Sequence, residues 1–550
     1  MSTIHTSAPP PATTPGPAAA CEQDRRTTEC YPSPAASGVS PISDPPATLT
    51  TASASEISRR VVRGTAWMIA LRLFMRLFSV VSQLILVRLL TQEDFGLVAS
   101  ASVVYGMLDM LSEFSLTWAM VQMPRPERHH YDTAFTLVIL RGTLIGGLLW
   151  LAAPFVASFL HDPRIESIVH VLAVTAIVQG FESVGLITLQ RELQFDRIFA
   201  YRFAGKLLGF ALTIPLAFIF RNYWALVIGG FAARLLTVPI SYLVSPYRPG
   251  VSLRAVREMF NFSKWLFFNN LLTMLDNSMM TMTLGRLGGV RDVGLYQVSA
   301  DFASLPASEI AAPARGPMYA GYARVAEDLT LLRGQVISGI GFLVLLIVPM
   351  SVGIAVTAQD LVPIVLGPNW IDAAPVLALC ALYAMFDAFG HFTGNVYIVR
   401  SAQRPYVAIM AGCLALRLAL VIPAAAWGGV VPAVGMMALT ALFNALVWFA
   451  RMCPLLAAGW QQFAAVTWRS FAAALVMAAS VLALRYAWLL PASMDAMLLH
   501  WAVLCGFGAT VHIGCQLLLW RLSGMPHGPE TSLLTRLRDR STALLARLAT

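Results

Sequence analysis

Four arginines within long apolar stretches of the sequence are candidates for binding an anion. They are Arg72, Arg76, Arg234 and Arg315. A charged side chain in hydrocarbon costs about 3 kcal/mol on insertion scales, so the charges retained there usually face a cavity or a partner. Because the planar guanidinium binds phosphate oxygens in a bidentate manner, these residue types predict a phosphate-binding site.

A second set of polar residues lies close together in a single apolar stretch further along the chain. These residues are Asn269, Asn270, Asp276 and Asn277. Their amides and carboxylate could hydrogen-bond the hydroxyl groups of a sugar. Hydrogen bonds between neighbouring helices explain the same residues without a ligand, and both interpretations stay open.

The charges also allow a purely structural interpretation. Arg72 and Arg76 are four positions apart and share one helix face. Asp109 and Glu113 have the same spacing in the next apolar stretch. Arginines and acids on adjacent helices could therefore neutralise each other without taking part in binding.

Prolines interrupt one of the charged stretches. The sequence "SLPASEIAAPARGPMYAGYA" contains Pro306, Pro313 and Pro317 around Glu309 and Arg315. Because proline removes a backbone donor and disturbs helical hydrogen bonding, this spacing predicts a bent helix. A functional hinge and packing around a cavity both remain possible explanations.

The amino-acid composition indicates the solvent in which these apolar stretches lie. Apolar residues make up 57% of the chain and charged residues 12%, with a mean hydropathy of +0.68. These values are typical of an integral membrane protein, in which a span needs about 20 apolar residues to cross about 30 Å. An all-α polytopic protein with about 14 transmembrane helices is predicted, near residues 66–90, 96–121, 133–160, 166–189, 203–220, 224–245, 264–288, 295–322, 334–357, 375–399, 405–427, 430–452, 467–490 and 495–520.

Basic residues in the loops predict the orientation. With the N-terminus in the cytoplasm, the outer loops carry only Arg164, Arg221 and Arg291, and the inner loops carry the rest. Both termini are then cytoplasmic, in a bacterial inner membrane. The net charge of +9 reflects this topology and attraction to anionic lipid, and it does not indicate nucleic-acid binding.

The chain divides into five predicted segments: a disordered cytoplasmic tail at 1–57, an N-lobe of six spans at 58–245, a C-lobe of six spans at 246–452, two further spans at 453–521, and a cytoplasmic amphipathic tail at 522–550. The seven cysteines have no spacing that suggests a metal site or a disulfide framework, and no cofactor is expected.

A repeated phrase supports the two lobes. "RLLTQEDFGL" begins at residue 88 and "RLGGVRDVGL" at residue 286, 198 positions later. A second repeat is the tripeptide Val-Leu-Ala, which follows Pro163 in the first half and Pro368 in the second half, at a spacing of 205. Six spans separate the copies, so both halves enter the membrane in the same direction, as in transporters with parallel repeats. Each phrase could also anchor an arginine at headgroups and cap the following helix.

Several stretches resemble the Wzx-type polysaccharide exporters, a branch of the superfamily that includes multidrug and toxin extrusion transporters and the peptidoglycan-precursor flippase. They are "LVRLLTQEDFGLVA", "EFSLTWAMVQ", "LQRELQFDRIFA", "LGRLGGVRDVGLYQVSA" and "LVPIVLGPNWIDAAPVLAL", within residues 57–460. The resemblance implies alternating access that flips an undecaprenyl-pyrophosphate-linked oligosaccharide for exopolysaccharide or lipopolysaccharide synthesis. The four arginines would then hold the pyrophosphate, and a polysaccharide polymerase could be a partner. The second phrase departs from the first at Gly288 and Gly289, which puts its turn geometry in question.

Enzymatic functions are disfavoured. The longest predicted loop is too short to carry a catalytic domain, and no P-loop appears, so ATP is not the direct energy source. The alternative function is an ion-coupled multidrug or toxin exporter, although cationic drugs would favour a more acidic cavity. A scaffold within a polysaccharide synthesis complex is a third possibility.

Overall fold

The computed structural model describes the larger part of the chain. The described residues are 74–112, 120, 126–192, 194–245, 247–256, 264–488, 494–525 and 530–531. The predicted N-terminal tail, most of the predicted C-terminal tail, Arg72 and Glu113 lie outside them.

Helices occupy all fourteen predicted spans within the described residues. They are α1 (residues 74–89), α2 (Gln92–Leu111), α3 (Arg128–Leu160), α4 (Arg164–Gly180), α5 (Gly185–Arg191), α6 (Phe195–Phe220), α7 (Trp224–Val244), α8 (Lys264–Leu287), α9 (Val290–Ala303), α10 (Ala312–Arg324), α11 (Leu329–Val365), α12 (Ala373–Val399), α13 (Gln403–Gly428), α14 (Val430–Leu455), α15 (Trp460–Ala487) and α16 (Met494–Leu522). In hydrocarbon the backbone must satisfy its own hydrogen bonds, which a helix does within one segment. The all-α, polytopic prediction is confirmed.

The spans differ in how apolar they are. Among the described residues, nine helices are long and apolar enough to cross a membrane: α3, α6, α7 and α11 to α16. The pair α4 and α5, bent by 59°, would add a tenth. The remaining segments, α1, α2, α8 and α9 with α10, are shorter in the described part or more polar. They are the first and second spans of each half.

Two spans are interrupted. One π-helical turn, Ala307–Ala311, separates α9 from α10, directly after Pro306. The prolines here predicted a bent helix, and the structure shows a change of helix type at this position. The break between α4 and α5 contains no proline. It is fixed by a tertiary contact, since the Ser183 amide donates to Ser241 Oγ on α7 at 3.0 Å.

The two halves repeat one packing pattern. In the N-lobe, α1 to α7, the contacts join α3 with α4, α6 with α7, α2 with α4, and α4 with α7. In the C-lobe, α8 to α14, the equivalent contacts join α11 with α12, α13 with α14, α9 with α12, and α12 with α14. Helices α15 and α16 pack on each other and on α11. The predicted parallel repeat followed by two additional helices is therefore confirmed.

The repeated phrase has matching roles in the two lobes. Asp94 accepts a hydrogen bond from the Tyr223 amide at 2.8 Å, next to the start of α7. Asp292 accepts one from the amide of Val430, the first residue of α14. Each aspartate thus ties the second span of its lobe to the sixth. The predicted helix cap is present in the first copy as a capping box between Thr91 and Asp94, whereas Gly289, with φ of 85°, begins the second.

Candidate functional site

Polar contacts join the lobes along α1 and the interrupted span. Arg76 on α1 lies with its Nε 3.2 Å from Glu309 Oε1 in the π-helical turn, and about a third of each side chain is exposed. Further along α1, Gln83 donates to Asp301 Oδ2 at 3.1 Å. Because these partners belong to opposite lobes, any relative movement of the lobes at this level must break or exchange these contacts.

Lys206 on α6 adds a second cation beside Arg76. The two helices pack through phenylalanines, with the rings of Phe74 and Phe203 5.1 Å apart and those of Phe78 and Phe210 5.2 Å apart. Lys206 follows Phe203 by three positions and shares its helix face. It lies within electrostatic reach of Arg76. Lys206 was not among the residues predicted from the sequence, although its position inside a predicted span marks it as a candidate.

The N-lobe contains a cavity of about 320 Å³ between α2, α3, α4, α5 and α6. Six of its polar side chains form three pairs. Arg141 donates to Asp109 at 2.6 Å, Tyr201 to Glu182 at 2.5 Å, and Tyr105 to Gln179 at 2.9 Å. Internal pairing of this kind stabilises the lobe and leaves few groups available to a ligand.

The C-lobe encloses a second cavity of about 310 Å³, lined by α8, α10, α12, α13 and α14. Arg417, only 3% exposed, lies between two carboxylates, at 2.6 Å from Asp276 and 3.9 Å from Asp387. Its guanidinium also lies 5.4 Å from the centre of the Tyr383 ring. Arg315 lines the same cavity, and its buried Nε has no hydrogen-bond partner among the described residues.

The structure brings only some of the predicted site residues together. Arg315, Asp276 and Asn277 line the C-lobe cavity. Arg76 lies instead between the lobes, and Arg234 lies within electrostatic reach of the two cavity tyrosines of the N-lobe. The remaining predicted residues give less information: Asn270 is half-buried on α8, and Arg72 and the side chain of Asn269 lie outside the described part.

The predicted ion pairing between the first two spans is wrong where it can be followed. Asp109 binds Arg141 on α3 and not Arg76, whose carboxylate partner is Glu309. By contrast, the ion pair between Asp276 and Arg417 joins α8 to α13. For Asp276, the contact between helices therefore provides a structural role of the kind that sequence reasoning left open.

A third cavity, of about 690 Å³, lies between α11, α15 and α16 and is lined mainly by apolar side chains. Polar groups occur at one part of its wall, where Gln516 on α16 donates to Glu530 at 3.0 Å. Arg469 on α15 contacts the same carboxylate at 3.2 Å. Such a surface suits an apolar chain with a polar end.

These features define the class: a multi-pass helical membrane protein built from two parallel six-span lobes, with polar contacts between the lobes and a cavity inside each. Comparison with known proteins places the chain within this class. A model of the family described as "Polysaccharide biosynthesis protein" matches residues 85–375, more than half of the chain, and the chain belongs to that family.

The names of curated relatives refer to polysaccharide biosynthesis, and one of them also refers to transport. The chain is 21% identical over 428 residues to lipopolysaccharide biosynthesis protein WzxC of Escherichia coli (strain K12), covering 76% of this chain and 85% of the relative. It is 23% identical over 327 residues to the succinoglycan biosynthesis transport protein ExoT of Rhizobium meliloti (strain 1021), covering 59% and 66%. The prediction that the chain is not an enzyme agrees with this family membership.

Solved structures share the fold. The lipid II flippase MurJ in an inward closed conformation matches with a TM-score of 0.66 at 10% identity, covering 83% of this chain and 99% of that one. A MATE family multidrug resistance transporter in an inward-facing conformation matches with a TM-score of 0.51 at 14% identity, covering 69% and 95%. The chain is therefore similar in fold to both flippases and drug exporters.

Proposed function

We propose that this protein flips a polyprenyl-pyrophosphate-linked oligosaccharide across the bacterial inner membrane during exopolysaccharide or lipopolysaccharide synthesis. The family and the names of the curated relatives support transport of a saccharide precursor. The observation that carries the proposal is the pair of cations, Arg76 and Lys206, at the junction of the lobes. Two neighbouring cations can bind an anionic cargo in exchange for the carboxylates Glu309 and Asp301, which lie within reach of Arg76.

The contact between Arg76 and Glu309 suggests how cargo and movement are coupled. Glu309 belongs to the opposite lobe, so its carboxylate forms an ion pair with Arg76 when the two lobes are in contact here. A pyrophosphate presents more oxygens than one carboxylate and competes for the same guanidinium. Cargo binding would then replace the contact between the lobes and allow alternating access.

The other predicted site residues extend this path. In our proposal Arg72, Arg76, Arg234 and Arg315 contact the pyrophosphate at successive positions, because Arg76, Arg234 and Arg315 lie in different parts of the molecule. The sugar would contact the polar face of α8, with Asn269, Asn270, Asp276 and Asn277. The apolar cavity beside α15 and α16 could accommodate the polyprenyl chain.

The charges of the cavities weigh against cationic drugs as cargo. Asp109 in the N-lobe and Asp276 in the C-lobe are each paired with an arginine at 2.6 Å. Since a cationic drug would require free carboxylates, multidrug extrusion is the weaker candidate. The proposed topology places both termini in the cytoplasm, anionic lipid at the basic loops, and a polysaccharide polymerase downstream of the flipped product.

Deletion of the gene tests the class of cargo. We expect loss of surface polysaccharide, accumulation of the lipid-linked oligosaccharide inside the cell, and unchanged resistance to cationic drugs. Restoration by the full-length chain is the control. Normal polysaccharide together with drug sensitivity would instead establish the multidrug function.

Substitutions at the junction test the role of Arg76. Arg76→Ala should reduce polysaccharide export about ten-fold or more, because a charge-assisted hydrogen bond is lost, and Arg76→Lys should reduce it less. Glu309→Gln should leave export near the parent level, since Glu309 competes with cargo in this scheme. Export and membrane abundance are measured together, with the exposed Arg324→Ala as the matched control. Equal losses in Arg76→Ala and Glu309→Gln would show that the pair is only structural.

A further inference from the structure

Two equivalent arginines, one in each lobe, donate hydrogen bonds to the opposite lobe. Arg88 on α1 donates to the carbonyl of Ile364 at the end of α11, with a distance of 2.7 Å. Arg286 on α8 donates to the carbonyl of Phe159 at the end of α3, with a distance of 3.0 Å. Residues 159 and 364 are 205 positions apart, the spacing of the second sequence repeat. Each arginine therefore binds the equivalent carbonyl of the opposite lobe rather than only extending toward headgroups.

Two equivalent glycines, one in each lobe, form a second pair of contacts between the lobes. A Cβ atom added to Gly96 on α2 would lie 1.6 Å from the carbonyl oxygen of Val290. A Cβ atom added to Gly294 on α9 would lie 1.8 Å from the carbonyl oxygen of Gln92. Residues 92 and 290 are also equivalent, 198 positions apart. Because backbone atoms form the contact on both sides, no side-chain rotation can relieve either clash, and only glycine fits.

This junction also buries an apolar side chain. Val87 on α1 is 1% exposed and packs in an apolar cluster whose other fully buried members come from the C-lobe. Its carbonyl accepts a hydrogen bond from Trp370 Nε1 at 3.0 Å. Exposure of Val87 therefore reports directly on separation of the lobes at this end.

We propose that Arg88, Gly96, Arg286 and Gly294 form a two-fold seal that closes one end of the transport path and opens as a unit. A rotation of the lobes about their shared axis breaks both arginine contacts and both glycine contacts together. Both arginine side chains are exposed, so water can replace the carbonyls at small cost when the seal opens. The proposal rests on the transport function proposed above.

The test measures exposure of Val87 and uses glycine variants. In a chain whose native cysteines are replaced, Val87→Cys is labelled with a maleimide in freeze-thawed membranes, where the reagent reaches both sides. Gly96→Ala and Gly294→Ala should each raise the labelling rate about ten-fold or more, because the overpacked contact no longer closes. Gly106→Ala is the matched control on α2, since a Cβ at Gly106 meets nothing within 4 Å.

A second pair of variants covers the case in which the alanine variants fail to accumulate. Replacing both arginines by glutamine (Arg88→Gln and Arg286→Gln in one chain) removes their hydrogen bonds to the opposite lobe without a steric clash. This double variant should raise the labelling rate of Val87→Cys by a smaller factor. Polysaccharide export should fall in every variant that raises labelling. Unchanged labelling in the folded fraction of all variants would overturn the seal. Raised labelling with normal export would keep the contact but refute its part in transport, and loss of export in the gene deletion separately tests the proposed function.

Discussion

Arg417 illustrates how one residue balances the charges of a lobe. It is almost completely buried and contacts Asp276 and Asp387, which come from two other helices. Removing one member of a buried ion pair leaves a charge without compensation, whereas exposed pairs contribute little. Whether an ion pair is buried or exposed therefore determines how much its loss destabilises the protein.

We expect Arg417→Met to destabilise the protein by about 3–5 kcal/mol, because Asp276 and Asp387 would lose the buried guanidinium that lies between them. The control is Arg128→Met, which breaks the pair of this exposed arginine with Asp132 at 3.9 Å and should cost less than about 1 kcal/mol. Thermal unfolding in detergent and membrane abundance provide the measurements. Combining Arg417→Met with Asp276→Asn should recover part of the loss. A similar effect of the two single substitutions would contradict this account of Arg417.

The intramembrane charges are recognisable in the sequence, but their partners are not. Arg76 and Glu309 belong to different lobes, and their meeting depends on how the lobes dock. Asp109 could have paired with any nearby arginine, and the spacing of four residues favoured the wrong one. Polar residue types in hydrocarbon are visible in a sequence because they are costly there, whereas the choice between partners is a tertiary property.

At the scale of helices, small residues set the closest approach. Gly142 on α3 faces α4, where an added Cβ would lie 2.8 Å from the Ala176 carbonyl oxygen and 2.9 Å from the Cα of Gly180. Helices in lipid gain stability from close packing of this kind, since lipid supplies no hydrophobic force between them. The approach of α3 and α4 therefore depends on a few glycines.

Gly142→Val should separate α3 from α4 and lower the melting temperature by several degrees, because the contacted atoms belong to the backbone. Gly147→Val is the matched control on the same helix, since a Cβ there meets nothing within 4 Å. Both changes insert the same β-branched residue into α3, so helix propensity cancels. Equal melting temperatures would rule out a role for the glycine contact.

The helices themselves were predictable because the bilayer imposes their length and hydrogen bonding. A distortion of the helix near Pro306 was predictable for a local reason, the missing donors of proline, although its form as a π-helical turn was not. The break after α4 was not, since its cause is the contact between Ser183 and Ser241 across the lobe. Local chemistry is readable in the sequence, and long-range contacts are not.

At the scale of the whole molecule, the two halves share several equivalent hydrogen bonds at the repeated sequence. Asp94 and Asp292 bind the starts of equivalent helices, and Arg88 and Arg286 bind equivalent carbonyls. An even number of spans separates the copies, so both lobes must cross the membrane in the same direction. If the lobes are parallel, equivalent loops of the two lobes lie on the same side of the membrane, which can be tested.

Four exposed positions test this statement and the orientation together: Thr91, Glu127, Ile371 and Gln403. Each is changed to cysteine in a chain whose native cysteines are replaced, and intact cells are treated with a maleimide that does not cross the membrane. Thr91→Cys and Ile371→Cys, at equivalent ends of the N-lobe and C-lobe, should be labelled, because the basic loops remain in the cytoplasm. Glu127→Cys and Gln403→Cys should react only after permeabilisation. Reversal of all four results would invert the orientation but keep the parallel lobes, whereas labelling of Thr91→Cys together with Gln403→Cys would show that the lobes run in opposite directions.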